Sequence, residues 1–165
     1  MQTTTSKALS QYLSCMLGGE VFAINISQVR EILDFTNATK VPQTPDYMLG
    51  VINLRGRALP VVDLKRKFAM GISHRTVNTC IIVVEVALDN QSVTLGLMAD
   101  AVREVFDLYE DEIEAPPKIG TMLRTEFLKG MGRKGDAFVL ILNIDRIFSK
   151  DELSLVLADT ATVCR

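Results

Sequence analysis

Gly50-Val-Ile-Asn-Leu-Arg-Gly-Arg-Ala-Leu-Pro-Val-Val-Asp-Leu64 is the stretch that decides the fold. Two runs of β-favouring residues, 51–54 and 58–62, flank Arg55 and Gly56, and glycine readily adopts the positive φ of a tight turn. The stretch therefore predicts a β-hairpin with Arg55 at its bend. Core packing does not explain a guanidinium at this position. Its fork of hydrogen-bond donors suits a carboxylate on a partner protein, and the alternative interpretation is that Arg55 is a solvated turn residue.

The composition is that of an ordinary soluble domain. A chain of 165 residues buries about 70% of its unfolded surface, enough for one domain or two small halves sharing a core. The net charge of −2 and the pI near 5.4 disfavour nucleic acid or an anionic membrane as partner. We expect a cytoplasmic protein, because no apolar run approaches the roughly 20 residues of a spanning helix and no secretory signal is present. Cys15, Cys80 and Cys164 lack metal-type spacing, which predicts reduced thiols.

The apolar pattern predicts a mainly β chain. Alternation on both sides of Gly18 and Gly19 indicates a hairpin, and 79–86 with 93–98 indicates a second strand pair. Two segments have helical spacing instead. Residues 29–33 predict a short helical turn, capped by a residue just before it, either Asn25 or Ser27. Residues 102–109 are compatible with a helix or with a partly extended segment.

A faint internal repeat relates the two halves of the chain. Residues 24–33 resemble residues 97–106, and both contain Val-Arg-Glu. Further along, residues 55–59 resemble residues 134–138 in the same order. The repeat predicts two similar β units. Because each unit would be only marginally stable alone, the two units should pack on each other.

The sequence offers no catalytic, metal or cofactor constellation. His74 is the only histidine, which disfavours a histidine-based triad and a multi-His metal site. Residues 130–135 match the GxGxxG pattern, but a β-type run follows where a dinucleotide site needs a helix, so hairpin glycines are predicted. The acidic segment 107–114 lacks the register of an EF-hand. We predict no catalytic residue, no metal and no cofactor; a small enzyme with an unrecognised site is the alternative.

Several blocks spread over almost the whole chain resemble one known family. The most specific is Asn53-Leu-Arg-Gly56 followed by Pro60-Val-Val-Asp-Leu64, and the others are residues 17–26, 29–32, 41–45, 95–100 and 140–144. Together they resemble the CheW family of bacterial chemotaxis coupling proteins. This resemblance implies a mainly β fold of two SH3-like five-stranded β-barrels packed around a shared hydrophobic core, with short helices and a C-terminal helix.

The resemblance also implies a division of the chain. Residues 1–165 would form a single CheW-like domain, with a first barrel at about 11–73, a second at about 74–149, and a C-terminal helix and tail at 150–165. Ser149 and Glu152 fit the capping box that begins such a helix.

The function implied by the resemblance is that of a non-enzymatic adaptor. Such a protein couples the cytoplasmic tips of methyl-accepting chemoreceptors to the regulatory domain of the histidine kinase CheA and helps assemble signalling arrays. It would be cytoplasmic and recruited to membrane-associated arrays, without a cofactor, nucleic acid or direct membrane insertion. The alternative is a regulatory CheW-like module of another two-component pathway, related to the CheA C-terminal domain or to CheV.

Receptor-binding residues carry over from the resemblance onto five positions of this chain: Val29, Glu31, Ile32, Leu54 and Arg55. An apolar patch would supply burial energy, while Glu31 and Arg55 would discriminate between partners by charge. Two alternatives stay open. Val29 and Ile32 are also compatible with core packing, and Glu31 and Arg55 with an ion pair between themselves.

Kinase-binding residues carry over onto the loop between residues 113 and 119. The resemblance assigns Ile113, Glu114 and Ile119 to contacts with the regulatory domain of CheA.

Overall fold

A computed structural model describes residues 8–71, 74–88, 90–115 and 125–154. These residues form eleven strands: β1 (Leu9–Leu17), β2 (Glu20–Asn25), β3 (Val29–Asp34), β4 (Met48–Leu54), β5 (Arg57–Asp63), β6 (Cys80–Leu88), β7 (Gln91–Ala99), β8 (Ala101–Tyr109), β9 (Ile113–Glu114), β10 (Leu128–Lys134) and β11 (Ala137–Leu142). The α-helical residues are two single turns, α1 (Leu64–Lys67) and α2 (Ile144–Ile147), and the segment 150–154, and 3₁₀ turns lie at Ile26–Gln28, Glu110–Glu112 and Thr125–Phe127. The predicted mainly β fold is confirmed.

The strands form two sheets. Sheet A has six strands in the order β8-β1-β2-β11-β10-β9, and sheet B has five in the order β3-β6-β7-β5-β4. Most neighbours are antiparallel, but β11 runs parallel to β2 and β5 runs parallel to β7. Among the described residues the two end strands of each sheet are not paired with each other. The two β units of the prediction are therefore open sheets rather than closed five-stranded barrels.

Each half of the chain contributes strands to both sheets. The β1–β2 hairpin lies in sheet A while β3, β4 and β5 lie in sheet B, and the β6–β7 hairpin lies in sheet B while β8 to β11 lie in sheet A. The expected barrels, 11–73 and 74–149, require one sheet on each side of a boundary between residues 73 and 74. The two sheets are not divided at that boundary. Apolar alternation shows which face of a strand is buried but not which strand pairs with it, so the exchange of hairpins left no trace in the pattern.

The internal repeat holds in three dimensions. The strands of the first repeat, β1 to β5, correspond in order to β6, β7, β8, β10 and β11 of the second. When each strand is exchanged for its counterpart, the order of sheet B becomes that of the first five strands of sheet A. Both copies also carry a β-bulge at the same place, after Val29 in β3 and after Val102 in β8. The two repeats have therefore exchanged their first hairpins, which ties them into one folded unit.

The shared core lies where residues of both sheets meet. Phe22 and Ile24 of sheet A and Ile82 and Leu97 of sheet B belong to this largest cluster, and none is more than 1% exposed. Each sheet also has a small cluster of its own, around Ile141 in sheet A and around Val61 and Ile81 in sheet B. One shared core with two smaller ones is the arrangement expected from two units that would be only marginally stable apart.

The two free cysteines of the described residues, Cys15 and Cys80, are buried in the shared core. Burial raises the pKa of the Cys15 thiol to about 12 and also raises the pKa of Cys80. Both thiols are therefore protonated and unreactive at neutral pH, as predicted for reduced core residues. Cys164 lies outside the described residues.

The predicted helical turn at 29–33 is wrong, because these residues form strand β3. Only Ile26–Gln28 turns, with the Asn25 Oδ1 accepting a hydrogen bond of 2.9 Å from the Ser27 N–H. Residues 102–109 are likewise extended, in β8. The bulges explain the misleading spacing: an extra residue in a strand brings positions i and i+3 onto one face, as in a helix.

Residues 150–154 are helical, and the predicted capping box begins this segment. The Ser149 Oγ accepts a bond of 3.1 Å from the Glu152 N–H, and the Glu152 Oε1 accepts one of 2.9 Å from the Ser149 N–H. The expected remainder of the helix and tail, 155–165, lies outside the described residues. Within those that are described, no helix is both long and apolar enough to cross a membrane.

An ion pair ties this helical segment to the first repeat. The Lys67 Nζ lies 2.7 Å from the Glu152 Oε2, which also accepts a hydrogen bond from the Tyr47 hydroxyl. The same Nζ lies 4.8 Å from the ring centroid of Tyr47, 5.4 Å from that of Phe127 and 5.5 Å from that of Phe148. These cation–π contacts and the ion pair hold the helix start against α1.

Candidate functional site

The predicted hairpin is present, with Arg55 at its bend. Leu54 of β4 pairs with Arg57 of β5, so Arg55 and Gly56 form a two-residue turn, with φ of 51° and 83°. Positive φ at both positions is the conformation that matches the twist of the strands. The Asn53 Oδ1 accepts a hydrogen bond of 2.8 Å from the Gly56 N–H and so holds the turn. The Arg55 side chain projects from a rigid tip and is 70% exposed.

Glu31 of β3 meets Arg55 in a bidentate ion pair. The Arg55 Nη1 lies 2.7 Å from the Glu31 Oε2 and the Nη2 lies 2.9 Å from the Oε1. Hydrogen bonding to Arg55 lowers the pKa of the Glu31 carboxyl, and the same bonds raise the pKa of Arg55. The pairing of these two residues with each other, which the sequence left open as the alternative to contacts with a partner, is present in the structure. Two nitrogens of the guanidinium bond to the two oxygens of the carboxylate, which fixes the plane of the guanidinium.

The ion pair borders a groove of about 440 Å³ on sheet B. We call it the Arg55 groove and define it by its charged residues Arg30, Glu31, Arg55 and Arg57 and its apolar residues Leu54, Leu59 and Val83. Leu59 and Val83 are buried and form its floor. The groove thus combines an apolar base with a charged rim, the combination that protein interfaces use.

The structure brings three of the five predicted receptor-binding residues together. Glu31, Leu54 and Arg55 border the Arg55 groove. Val29 and Ile32 lie on the other face of β3, opposite Val84 and Ile82 of the shared core. Ile32 faces away from Glu31 because neighbouring strand residues alternate, whereas Val29 does so because the bulge after it shifts the alternation by one residue. Val29 is partly buried against the shared core, whereas Ile32 is 45% exposed.

Sequence reasoning missed two cationic residues of the groove. Arg30 forms an ion pair with Glu85 of β6. Arg57 begins β5 and shares a face with Leu59, two residues on. The sequence did contain a signal for Arg57, because strand alternation places it on the same face as Leu59. No comparable signal exists for Arg30, because it lies in the bulge.

Two of the predicted kinase-binding residues, Ile113 and Glu114, form the edge strand β9. They pair with Gly132 and Met131 of β10. Ile113 is partly buried against the small cluster of sheet A, and Glu114 is exposed. Ile119 lies outside the described residues.

The glycines of the GxGxxG match belong to a hairpin, as predicted. Gly130 and Gly132 lie in β10, and Gly135 is in the turn to β11 with φ of 62°. A Cβ at Gly130 would lie 2.5 Å from the Glu114 carbonyl oxygen, so this glycine permits the close approach of β9. Within the part of the chain that the structure describes, no three His, Cys, Asp or Glu side chains are grouped so as to hold a metal ion.

Residues 11–152 match the family model of the CheW-like domain. The chain belongs to this family. It is 35% identical over 147 residues to the chemotaxis protein CheW of Klebsiella aerogenes, covering 88% of this chain and 86% of that protein. It is 32% identical over 142 residues to CheW of Helicobacter pylori, covering 86% and 82%.

A solved CheW structure has the same fold. The crystal structure of the scaffolding protein TtCheW from Thermoanaerobacter tengcongensis superposes with a TM-score of 0.78 at 31% sequence identity, covering 92% of this chain and 96% of that one. The two-sheet architecture described above is therefore that of a CheW scaffold. The resemblance on which the five receptor-binding positions rest is confirmed at the level of family and fold.

Proposed function

We propose that this chain is a non-enzymatic chemotaxis adaptor that couples the cytoplasmic tips of chemoreceptors to the histidine kinase CheA and helps assemble signalling arrays. Membership of the CheW-like family and the similarity to a scaffolding protein support the proposal. The adaptor acts in the cytoplasm and is recruited to membrane-associated arrays through its receptor contacts. It needs no cofactor for this role.

The observation that carries the receptor-binding part is the Glu31–Arg55 pair at the rim of an apolar groove. Its guanidinium stands on a two-residue turn and is oriented by two hydrogen bonds, so little conformational freedom is lost when a partner docks. Burial of Leu54 and the groove floor supplies affinity at roughly 25 cal/mol per Å² of apolar surface. The rim charges supply discrimination between partners.

Val29 and Ile32 complete the receptor-binding surface from the other face of the same strand. Because β3 is the end strand of sheet B, a partner that lies along this edge reaches both of its faces. The exposed Ile32 then adds an apolar contact beside the Arg55 groove. This arrangement is typical of a partner that straddles an edge rather than one that fills a single pocket.

The kinase-binding part uses Ile113, Glu114 and Ile119. The first two form β9 at the end of sheet A, whereas Glu31 and Arg55 belong to sheet B. Surfaces on different sheets allow receptor and kinase to be held at the same time, as an adaptor requires.

A two-partner pull-down tests the proposal. Tagged protein is mixed with a chemoreceptor cytoplasmic fragment and with CheA from the same organism. We expect Arg55→Ala and Glu31→Ala to lose the receptor fragment and keep CheA, and Glu114→Lys to do the opposite. Unchanged capture of the receptor fragment by Arg55→Ala and Glu31→Ala, with a parent-like circular dichroism spectrum, would refute the receptor-binding surface.

A further inference from the structure

We propose that Arg57 recognises a carboxylate on the segment that docks in the Arg55 groove, so that the preferred occupant is an apolar segment carrying an acidic side chain. This inference rests on the proposed receptor-binding role of the groove and goes further by stating the chemistry of the occupant.

The charges of the Arg55 groove are unevenly matched. Arg55 is paired with Glu31, and Arg30 is paired with Glu85. The guanidinium of Arg57 has no hydrogen-bond or ion-pair partner among the residues that the structure describes. The groove therefore presents one uncompensated positive charge, and that charge belongs to Arg57.

When a partner docks in the Arg55 groove, the unpaired charge of Arg57 requires a negative charge on that partner. A segment lying on Leu54 and Leu59 displaces water from the groove, and a guanidinium that loses water without gaining a partner is strongly unfavourable. A carboxylate on the occupant removes this penalty through a charge-assisted pair. Arg55 is less suited to supply that pair, because both of its terminal nitrogens already bond to Glu31.

The position of Arg57 allows it to discriminate between docking segments. It is the first residue of β5, directly after the turn glycine, and it points to the same side as the buried Leu59. Its backbone is thus fixed by pairing with Leu54, while its side chain lines the groove. A carboxylate must therefore lie next to the apolar contact of the occupant, which defines an ordered pattern and not merely a negative charge.

The test is calorimetric titration of the full chain with a chemoreceptor cytoplasmic fragment. We expect Arg57→Gln to weaken binding roughly ten- to a hundredfold, Arg57→Glu to weaken it further, and Arg57→Lys to weaken it least. Arg57→Gln should also reduce the dependence of binding on salt. Arg146→Gln, which removes an exposed arginine of α2, is the charge-matched control and should bind like the parent.

A charge exchange identifies the carboxylate. Acidic residues of the receptor fragment are replaced by lysine one at a time, and one of these fragments should bind Arg57→Glu more tightly than it binds the parent. If Arg57→Glu binds like the parent while Arg55→Ala has lost binding, the inference is overturned and the receptor-binding role stands. If both variants bind like the parent, the receptor-binding role fails as well. If Arg57→Glu has lost binding but no exchange restores it, carboxylate recognition is overturned.

Discussion

Arg55 and Gly135 occupy the same position in the two repeated hairpins. Leu54 pairs with Arg57 and Lys134 pairs with Ala137, so Arg55 and Gly135 are each the first residue of a two-residue turn. Their φ values are 51° and 62°. The sequence repeat instead aligns Arg55 with Lys134, one position away. The second repeat has the residue that this conformation favours, whereas the first has an arginine that strains it, and such strain is typical of functional positions.

The first prediction concerns Arg55→Gly. Glycine relieves the backbone strain at this turn, so we expect the variant to be at least as stable as the parent while losing receptor capture. Urea denaturation and the pull-down measure the two effects. The reverse change, Gly135→Arg, has open space around it but forces arginine to positive φ, and should lower the free energy of unfolding by about 1–2 kcal/mol. Clear destabilisation by Arg55→Gly would show that the arginine serves the fold.

The second prediction concerns the ion pair of Glu152. Burial alone would raise the pKa of its carboxyl, but hydrogen bonds from Lys67, the Ser149 N–H and the Tyr47 hydroxyl together lower it to about 2. We expect Glu152→Gln to reduce the free energy of unfolding at pH 7 by about 1–3 kcal/mol, because Lys67 loses its charged partner. Urea denaturation measures the loss, and Asp151→Asn, at the exposed neighbouring position, should leave stability unchanged.

The pH dependence of the same pair is the third prediction. The folded-state pKa of Glu152 lies below the ordinary value of 4.5. The pair therefore stabilises the fold fully above about 4.5, and this contribution is lost as the pH falls towards 2. The difference in unfolding free energy between the parent and Glu152→Gln should narrow steadily between pH 5 and about 3. A constant difference over this interval would mean that the carboxylate does not titrate as described.

The fourth prediction concerns Gly130, against which β9 packs. A Cβ there would meet the Glu114 carbonyl oxygen, so Gly130→Ala should displace β9 and lower the free energy of unfolding by about 1–3 kcal/mol. Because β9 carries Ile113 and Glu114, we expect weaker CheA capture with normal receptor capture. Gly135→Asn is the matched control, since asparagine tolerates positive φ and that position is open. Parent-like CheA capture by a folded Gly130→Ala variant would argue against β9 as the kinase-binding strand.

Local features of the fold were predictable because their signals lie within a few residues. The turn at Arg55 and Gly56 and the capping box of Ser149 and Glu152 each depend on one short pattern. The exchange of hairpins between the sheets was not predictable, because strand pairing depends on residues far apart in sequence. The β3 segment was mistaken for a helical turn because its bulge imitates helical spacing.

The candidate site was predictable only in part, for the same reason. The resemblance supplied Glu31 and Arg55, and the structure joins them in one ion pair. It could not show that Val29 lies on the other face of β3 from Glu31, since that depends on the bulge. Arg57 was predictable as a neighbour of Leu59 from strand alternation, but its part in a groove depends on Val83 and Arg30 of other strands.

Recruitment of CheA to chemoreceptor-containing membranes tests the central claim most directly. Membranes, CheA and either the parent or Arg55→Ala are mixed and sedimented, and CheA in the pellet is measured. We predict that the parent carries CheA into the pellet, whereas Arg55→Ala leaves CheA in the supernatant while still binding it in solution. Equal amounts of CheA in the pellet with both proteins would contradict the account.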